Sequence, residues 1–552
     1  MQLFFKLFLL LLVSSAGYAG PLSNNQKYES LGLLWGLLKY HHPEVSKGKH
    51  NWDAEFVAML AKVEKAGSQE ELNSLYKQWI LSFGKIPDVK PKMYDTTIFT
   101  KNEDYKWFES YGFDAEIMAM LTAIKNAKHK AGGYYVSRSN LNKFINFENE
   151  KGYAGFDVSK KTDRLLTLFS FWNAMQYFNV NKYTFDKNWN TVLHEMVPVF
   201  ADAETNTDYQ IAKARLFRYI DDTHFDFYNK EMHSKLYPYV IPAGLLNVND
   251  TLIVYGTGNK TELEYSGLKV GDIIVAIDGK SINTLLQEKI APYHSCSNVM
   301  ALKRYSNFLA YNDKEYAKFS LVDKSGEVIE KQVKFYKTIA AGEQEIIKPE
   351  RPFALPDDIA YLNLQQVDKK YVDSFFVANA GKKGIIIDIR KSPRHFIEDR
   401  LAHYLYDEKK VFVKVMGSLG VPGLAEYDLQ APLKVIKDPF KAGSKNKDYY
   451  KGKVVVLVDR NTQSRMEYIA MMLQQAPNCK VIGEQTAGVF MNILEYRLPD
   501  NDLAIYTGMQ AFYPDGQLAF KKGVRLDREI RQSALNYDPD LYKKEAVRVI
   551  YE

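Results

Sequence analysis

The sequence predicts a multidomain α+β protein with a mostly helical first part, a β-rich middle and an α/β core at the end. Three observations carry this. After about Asp357, short aliphatic runs alternate with segments of helical period, as strands covered by helices do. Before Asn229, apolar stripes at helical spacing dominate, and a pair of tryptophans recurs with the same interval. Between these parts, Asp278-Gly279 separates two apolar runs, which signals a tight hairpin.

The core reads as strand 359–364, helix 372–380, strand 384–389, helix 396–406 and strand 411–416. A long loop, 417–451, precedes its most telling stretch, 454–488. Val454 to Val458 is an unbroken aliphatic run suited to a strand buried on both faces. Polar turn residues 459–463 follow, then a helix opening at Ser464 with Met466, Ile469, Ala470 and Leu473 on one face, then a strand at 480–483. This is a βαβ unit. A hydroxyl at such a turn sits where the free N–H groups of the helix concentrate positive potential, which suits a nucleophile whose attack creates an oxyanion. Ser464 with Glu467 also fits a capping box, and the residues alone leave both readings open.

In the helical part, Trp35 and Trp52 are spaced as Trp172 and Trp189 are. Tyr40 and Tyr177 follow the first Trp of each pair, and Asn51 and Asn188 precede the second. A duplicated helical hairpin across 24–232 is predicted, with a further helix near 115–127. Residues 287–311 read as a helical insertion into the middle region, placed to cover a site.

Residues 1–19 carry Lys6, the apolar run 7–13 and small residues ending at Ala19, the pattern of a cleaved secretory signal. The run is too short to span a bilayer, and no cysteine follows it to carry a lipid. The expectation is a periplasmic or secreted protein without stable membrane insertion. Cys296 and Cys479 are the only cysteines in 552 residues, so disulfides do not build the fold. The net charge of +6 forms no basic block, which argues against nucleic acid as partner. No metal-binding spacing is present and no cofactor is expected.

The stretches Thr462-Gln463-Ser464-Arg465-Met466-Glu467 and Gly483-Glu484-Gln485-Thr486-Ala487-Gly488 resemble the nucleophile region of the tail-specific and tricorn-type serine peptidases. The resemblance implies a crotonase-like catalytic core at 350–552 and a PDZ-like domain at 238–340, the latter matched by the stretch from Ser266 to Lys280. By position Ser464 takes the place of the nucleophile. The general-base lysine of the processing-protease branch maps onto Val489, so a Ser–Lys dyad is not expected. Thr223-His224 matches the pair that supplies the base in the tricorn-type branch, making His224 the candidate base and acid. Thr223, Glu484 or Glu495 would orient it.

The strand 384–390 matches the element before the oxyanion turn. Here that turn is 391–395 without its glycine pair, leaving Ser392 or Arg394 N–H beside Arg465 N–H as oxyanion donors, and Gly488 as a substrate-binding position. The resemblance thus implies an exported serine endopeptidase that cuts unfolded or tail-presented polypeptides through an acyl-enzyme. The alternative is a catalytically inactive peptide- or ligand-binding protein on the same scaffold, suggested by Val489, the altered turn and the absence of a tail glutamate near Phe520.

Overall fold

The computed structural model describes residues 22–86, 98–99, 102–127, 133–139, 144–225, 227–323, 325–348, 351–418, 420, 424–426 and 438–552. The expected signal, 1–19, lies outside the described residues. The chain is a mixed α/β protein, and among the described residues no helix is long and apolar enough to cross a membrane.

The first part is built on two helix pairs, Asn24–His41 with Trp52–Lys65 and Lys161–Phe178 with Trp189–Ala201. A buried indole needs an acceptor for its N–H, and the recurrent tryptophans satisfy each other. Trp35 Nε1 donates to Trp52 O at 2.9 Å and Trp52 Nε1 to Trp35 O at 3.1 Å. Trp172 and Trp189 exchange the same bonds at 2.9 and 3.1 Å. Asn51 and Asn188 cap the second helix of each pair through their side-chain oxygens. The two long helices approach closely at Gly32 and Gly36, where an added Cβ would lie 2.0 Å from the Phe169 ring and 1.9 Å from the Asn173 amide. Asn173 Nδ2 uses that proximity to reach Gly32 O at 3.0 Å.

The middle part is an antiparallel sheet in the order Val328–Lys334, Tyr316–Val322, Ile273–Ile277, Thr251–Thr257 and Glu345–Ile346, with Gly244–Val248 also on Thr251–Thr257. Asp278 (φ 49°) and Gly279 (φ 73°) make the expected tight turn. The insertion is helical at Leu286–Ile290, Val299–Lys303 and Arg304–Ala310.

The core holds a parallel sheet in the order Ile359–Asn363, Gly384–Asp388, Lys453–Val458, Cys479–Gly483 and Arg528–Glu529. Because side chains alternate along a strand, Ile385, Ile387, Val454 and Val456 pack with the helices Lys369–Ala378, Glu398–Leu405 and Arg465–Leu473. Ile386, Val455 and Leu457 pack with the C-terminal helix Leu541–Tyr551 on the other face. Continuous aliphatic strands follow from that double coverage. The strand expected at 411–416 forms at Lys414–Ser418, and it does not join this sheet: it pairs antiparallel with Leu424–Glu426 and Met509–Phe512 in a separate layer.

One element crosses between the parts. The hairpin Ile493–Arg497 and Leu503–Thr507 leaves the core and enters the helical part, where Leu494, Tyr496, Leu498, Ala504 and Tyr506 belong to the same buried cluster as the tryptophans. Tyr496 OH lies 2.6 Å from Ser170 Oγ. At the tip, the buried Lys213 ammonium pairs with Asp500 at 2.6 Å and with Asp502.

Candidate active site

The turn between Lys453–Val458 and Arg465–Leu473 is shaped by Asp459, whose Oδ1 accepts from Asn461 N at 2.8 Å and Thr462 N at 3.1 Å. It delivers Ser464 in a conformation that L-residues rarely adopt, φ 58° and ψ −117°. Such a residue costs on the order of 1–3 kcal/mol and persists only where its surroundings dictate it. Here they do. Ser464 N donates to Val489 O at 2.9 Å, and Ala487 N donates to Thr462 O at 3.0 Å.

Behind this pairing lies Glu467, fully buried. Its Oε1 accepts from Gly488 N at 2.7 Å and from the Thr486 hydroxyl, and its Oε2 from Val489 N at 3.0 Å and Ser464 N at 3.2 Å. Burial pushes its carboxyl up to about 7, against the pull of those four donors. The capping box is therefore present, and it also braces the turn carrying Ser464. The Ser464 hydroxyl donates to Met491 O at 3.4 Å, long for an O–H···O bond. Met491 is itself strained, at φ 73°.

His224 follows the helix Asn206–Phe217 and a left-handed Asp221 (φ 49°). Its N–H donates to Asp222 Oδ1 at 2.9 Å, its Nδ1 lies 2.8 Å from Thr507 Oγ1 and 3.4 Å from Asp222 Oδ1, and Asp222 Oδ2 accepts from Thr507 N at 2.6 Å. Burial raises the Asp222 carboxyl, but the hydrogen bond and charge of His224, with the N–H groups of Thr507 and His224, outweigh it and hold the group below its usual range. A carboxylate on the Nδ1 side favours the proton at Nδ1 and leaves the lone pair at Nε2. Nε2 is buried and has no hydrogen-bond partner in the protein.

Ser464 and His224 stand on adjoining segments. Gln463 Nε2 donates to Thr223 O at 3.3 Å, so the residue before each one touches the residue before the other. Gly508 N donates to Asn492 O at 2.9 Å, which ties the segment beyond Met491 to the one beyond Thr507. The insertion adds a third tie. Ser297 Oγ lies 3.0 Å from Thr223 Oγ1 and also donates to Ala487 O, while Asn298 Nδ2 reaches Thr486 O and Ala487 O at 3.0 Å and Lys521 O at 2.9 Å. Asn298→Ala is expected to cost about 1–3 kcal/mol in urea unfolding by stripping a partner from buried carbonyls. It should also lower kcat more than it raises KM; an unchanged unfolding midpoint would show these contacts to be idle.

Several other site residues have engagements of their own. Thr223 Oγ1 faces Ser297 and not the imidazole. Glu484 is held by Arg460 at 2.8 and 2.9 Å, and Arg460 also donates to Asn247 O at 3.1 Å, so this carboxylate is tied to the middle part. Glu495 is on the exposed face of its strand. Gly488 has both backbone groups engaged within the protein, its N–H on Glu467 and its O accepting from Lys521 N at 2.8 Å. Val489 is buried among Ala487 and Phe520.

Ser392 and Arg394 lie on an exposed turn that Arg465 staples to the Ser464 helix. The Arg465 guanidinium donates to Glu398 at 2.6 Å, Pro393 O at 3.3 Å and His395 O at 2.5 Å. The groups that do face His224, Asp222 and Thr507, are ones that the sequence reading missed. Asp222 had a local signal, a carboxylate two residues before His224 in an Asx-turn position; Thr507 had none.

Beside Arg465 and Met491 opens a cleft of about 780 Å³ with Phe396, Phe412, Tyr468 and Met472 in its walls. The cleft is walled by the neighbours of Ser464, Arg465 and Met491 among them, and not by Ser464 or His224 themselves.

Residues 358–530 match the family model described as peptidase family S41. No curated protein matches the sequence. Among solved structures, mature CPAF complexed with lactacystin is similar at a TM-score of 0.50 and 11% identity, with 69% of this chain and 96% of that one covered. Mature CPAF alone gives a TM-score of 0.50 and 11% identity over 70% and 97%. A photosystem II D1 C-terminal processing protease gives 0.37 and 17% over 70% and 97%. At these identities the likeness to CPAF is one of fold.

Proposed function

We propose an exported serine-type endopeptidase that cleaves unfolded or tail-presented polypeptides, a reading supported by the match of residues 358–530 to peptidase family S41. Ser464 Oγ attacks the peptide carbonyl as His224 Nε2 takes its proton, and the same proton passes to the leaving amine. Water, deprotonated by His224, then releases the acyl group and restores Ser464. Asp222 and Thr507 hold the imidazole by its Nδ1 side. The oxyanion is received by Arg465 N–H with a donor from the turn 391–394, the two stretches that the Arg465 side chain clamps together. Within this reading the core is crotonase-like, the middle domain PDZ-like, and residues 1–19 a signal that directs export.

The observation that carries the proposal is the contact of the two segments, Gln463 Nε2 on Thr223 O, which sets the strained Ser464 beside a buried imidazole whose Nδ1 side is held by Asp222 and Thr507. The Nε2 of that imidazole is one of several buried ring nitrogens without a protein partner, and what sets it apart is its place on the segment that Gln463 joins to Ser464. A fluorophosphonate probe tests it: covalent labelling of the folded protein that vanishes in Ser464→Ala is the expected result. Absence of labelling in well-folded protein would favour a catalytically silent peptide binder.

A further inference from the structure

The strand Gly244–Val248 is paired on one side only, with Thr251–Thr257. A free strand edge is where β domains capture extended peptides, by adding the peptide as one more strand. This edge is already taken. Leu245 N, which points away from Thr251–Thr257, donates to Asn307 Oδ1 at 2.9 Å, and just before the strand, continuing the pairing of Tyr239–Val240 with Tyr311–Asn312, Ile241 N donates to Ala310 O at 2.9 Å. Both acceptors belong to Arg304–Ala310 of the insertion. The apolar side of the same place is filled as well, since Leu302 and Leu309 are buried in one cluster with Leu245, Leu286 and Ile290. Lys303 Nζ tethers the segment further, to Asn249 O at 2.7 Å.

We propose that residues 299–310 are a built-in occupant of this docking edge, seated where an extended peptide would lie, so that the middle domain takes no peptide there until the segment leaves. The occupant is not an idle plug. Immediately before it, Ser295 accepts from Asp222 N at 2.8 Å, Ser297 bonds Thr223 and Ala487, and Asn298 bonds the carbonyls of Thr486, Ala487 and Lys521. One continuous stretch therefore closes the edge at one end and grips the loops of Ser464 and His224 at the other. Docking at the edge and a fully gripped site exclude each other.

The test uses the full chain carrying Ser464→Ala, so that no peptide is consumed, and follows hydrogen exchange across 241–248 with and without a short peptide bearing a free terminal carboxylate. In this parent the Leu245 amide exchanges slowly, and the peptide changes nothing. Adding Asn307→Ala should speed that exchange roughly fivefold or more, and the peptide should then restore protection. Asn307→Asp keeps the acceptor and should behave as the parent. Protection by peptide in the parent, unchanged exchange in Asn307→Ala, or failure of the peptide to protect that variant each overturns the proposal. If Asn307→Ala does not fold, Lys303→Ala loosens the same segment more mildly and carries the same comparison. Fluorophosphonate labelling of Ser464 in the otherwise unaltered protein reads the hydrolase independently, so the two proposals fail separately.

Discussion

His224→Ala is expected to lower kcat by on the order of 10⁴–10⁶-fold with KM little changed, as loss of a group that acts in unit with the nucleophile does. The size follows from the geometry, since no other imidazole stands on the segments that Gln463 joins, and Val489 offers no substitute base. Asp222→Asn should approach this loss, at about 10⁴-fold, because an amide in place of the carboxylate lets the ring settle in the tautomer with its proton on Nε2. The two variants should differ in one readout. Asp222→Asn keeps an imidazole, so raising the pH should recover part of its activity, whereas His224→Ala should stay flat. Steady-state kinetics with circular dichroism as the check on folding decides the matter, and a His224→Ala enzyme of normal turnover would remove the imidazole from the reaction.

Glu467→Ala is expected to be the most damaging change to stability in the core. Four donors converge on this carboxylate, three of them backbone N–H groups of Ser464, Gly488 and Val489. Gly488 N, Val489 N and the Thr486 hydroxyl would each be left buried without this acceptor, at a cost on the order of 1–3 kcal/mol apiece, while Ser464 N keeps Val489 O but loses the second brace for its strained backbone. The pH dependence has a definite sign. The carboxyl is raised from 4.5 to about 7 in the folded protein, so the native state binds the extra proton between these values. Its stabilising contribution is fully present below about pH 4.5 and is lost as the pH rises through 7. Glu467→Gln should lower the melting temperature overall and also flatten its dependence on pH across that window. A Gln variant with the parent's slope would show that another group titrates there.

How much of this was legible depended on whether a residue's partner lay nearby in the chain. The turn at Ser464 could be read because its aliphatic strand, polar turn and helix are contiguous. The tryptophan pairs could be read because each pair closes over a short interval and repeats. His224 was legible only through resemblance, since nothing near it in sequence states that its Nδ1 meets Thr507, 283 residues on. The partners of Glu484 and Thr223, Arg460 and Ser297, were not legible, because nothing in residue type or spacing states that Arg460 turns back on Glu484 or that Ser297 of the insertion meets Thr223. The strand near 414 shows a different limit. A run of alternating apolar residues reads the same whether it joins a parallel sheet or pairs antiparallel elsewhere, and only the location of Met509–Phe512 chooses.

The hairpin 493–507 has a consequence for biogenesis. The imidazole is made in the first half of the chain and the hydroxyl in the second, and the β-ribbon between them must thread its tyrosines among the tryptophans before Thr507 can meet His224. If Ser464 and His224 act together as proposed, a partly synthesised or half-folded molecule would hold one of them without the other. In the proposed mechanism, maturation itself is then a safety catch: no hydrolysis could occur until both halves have closed on one another.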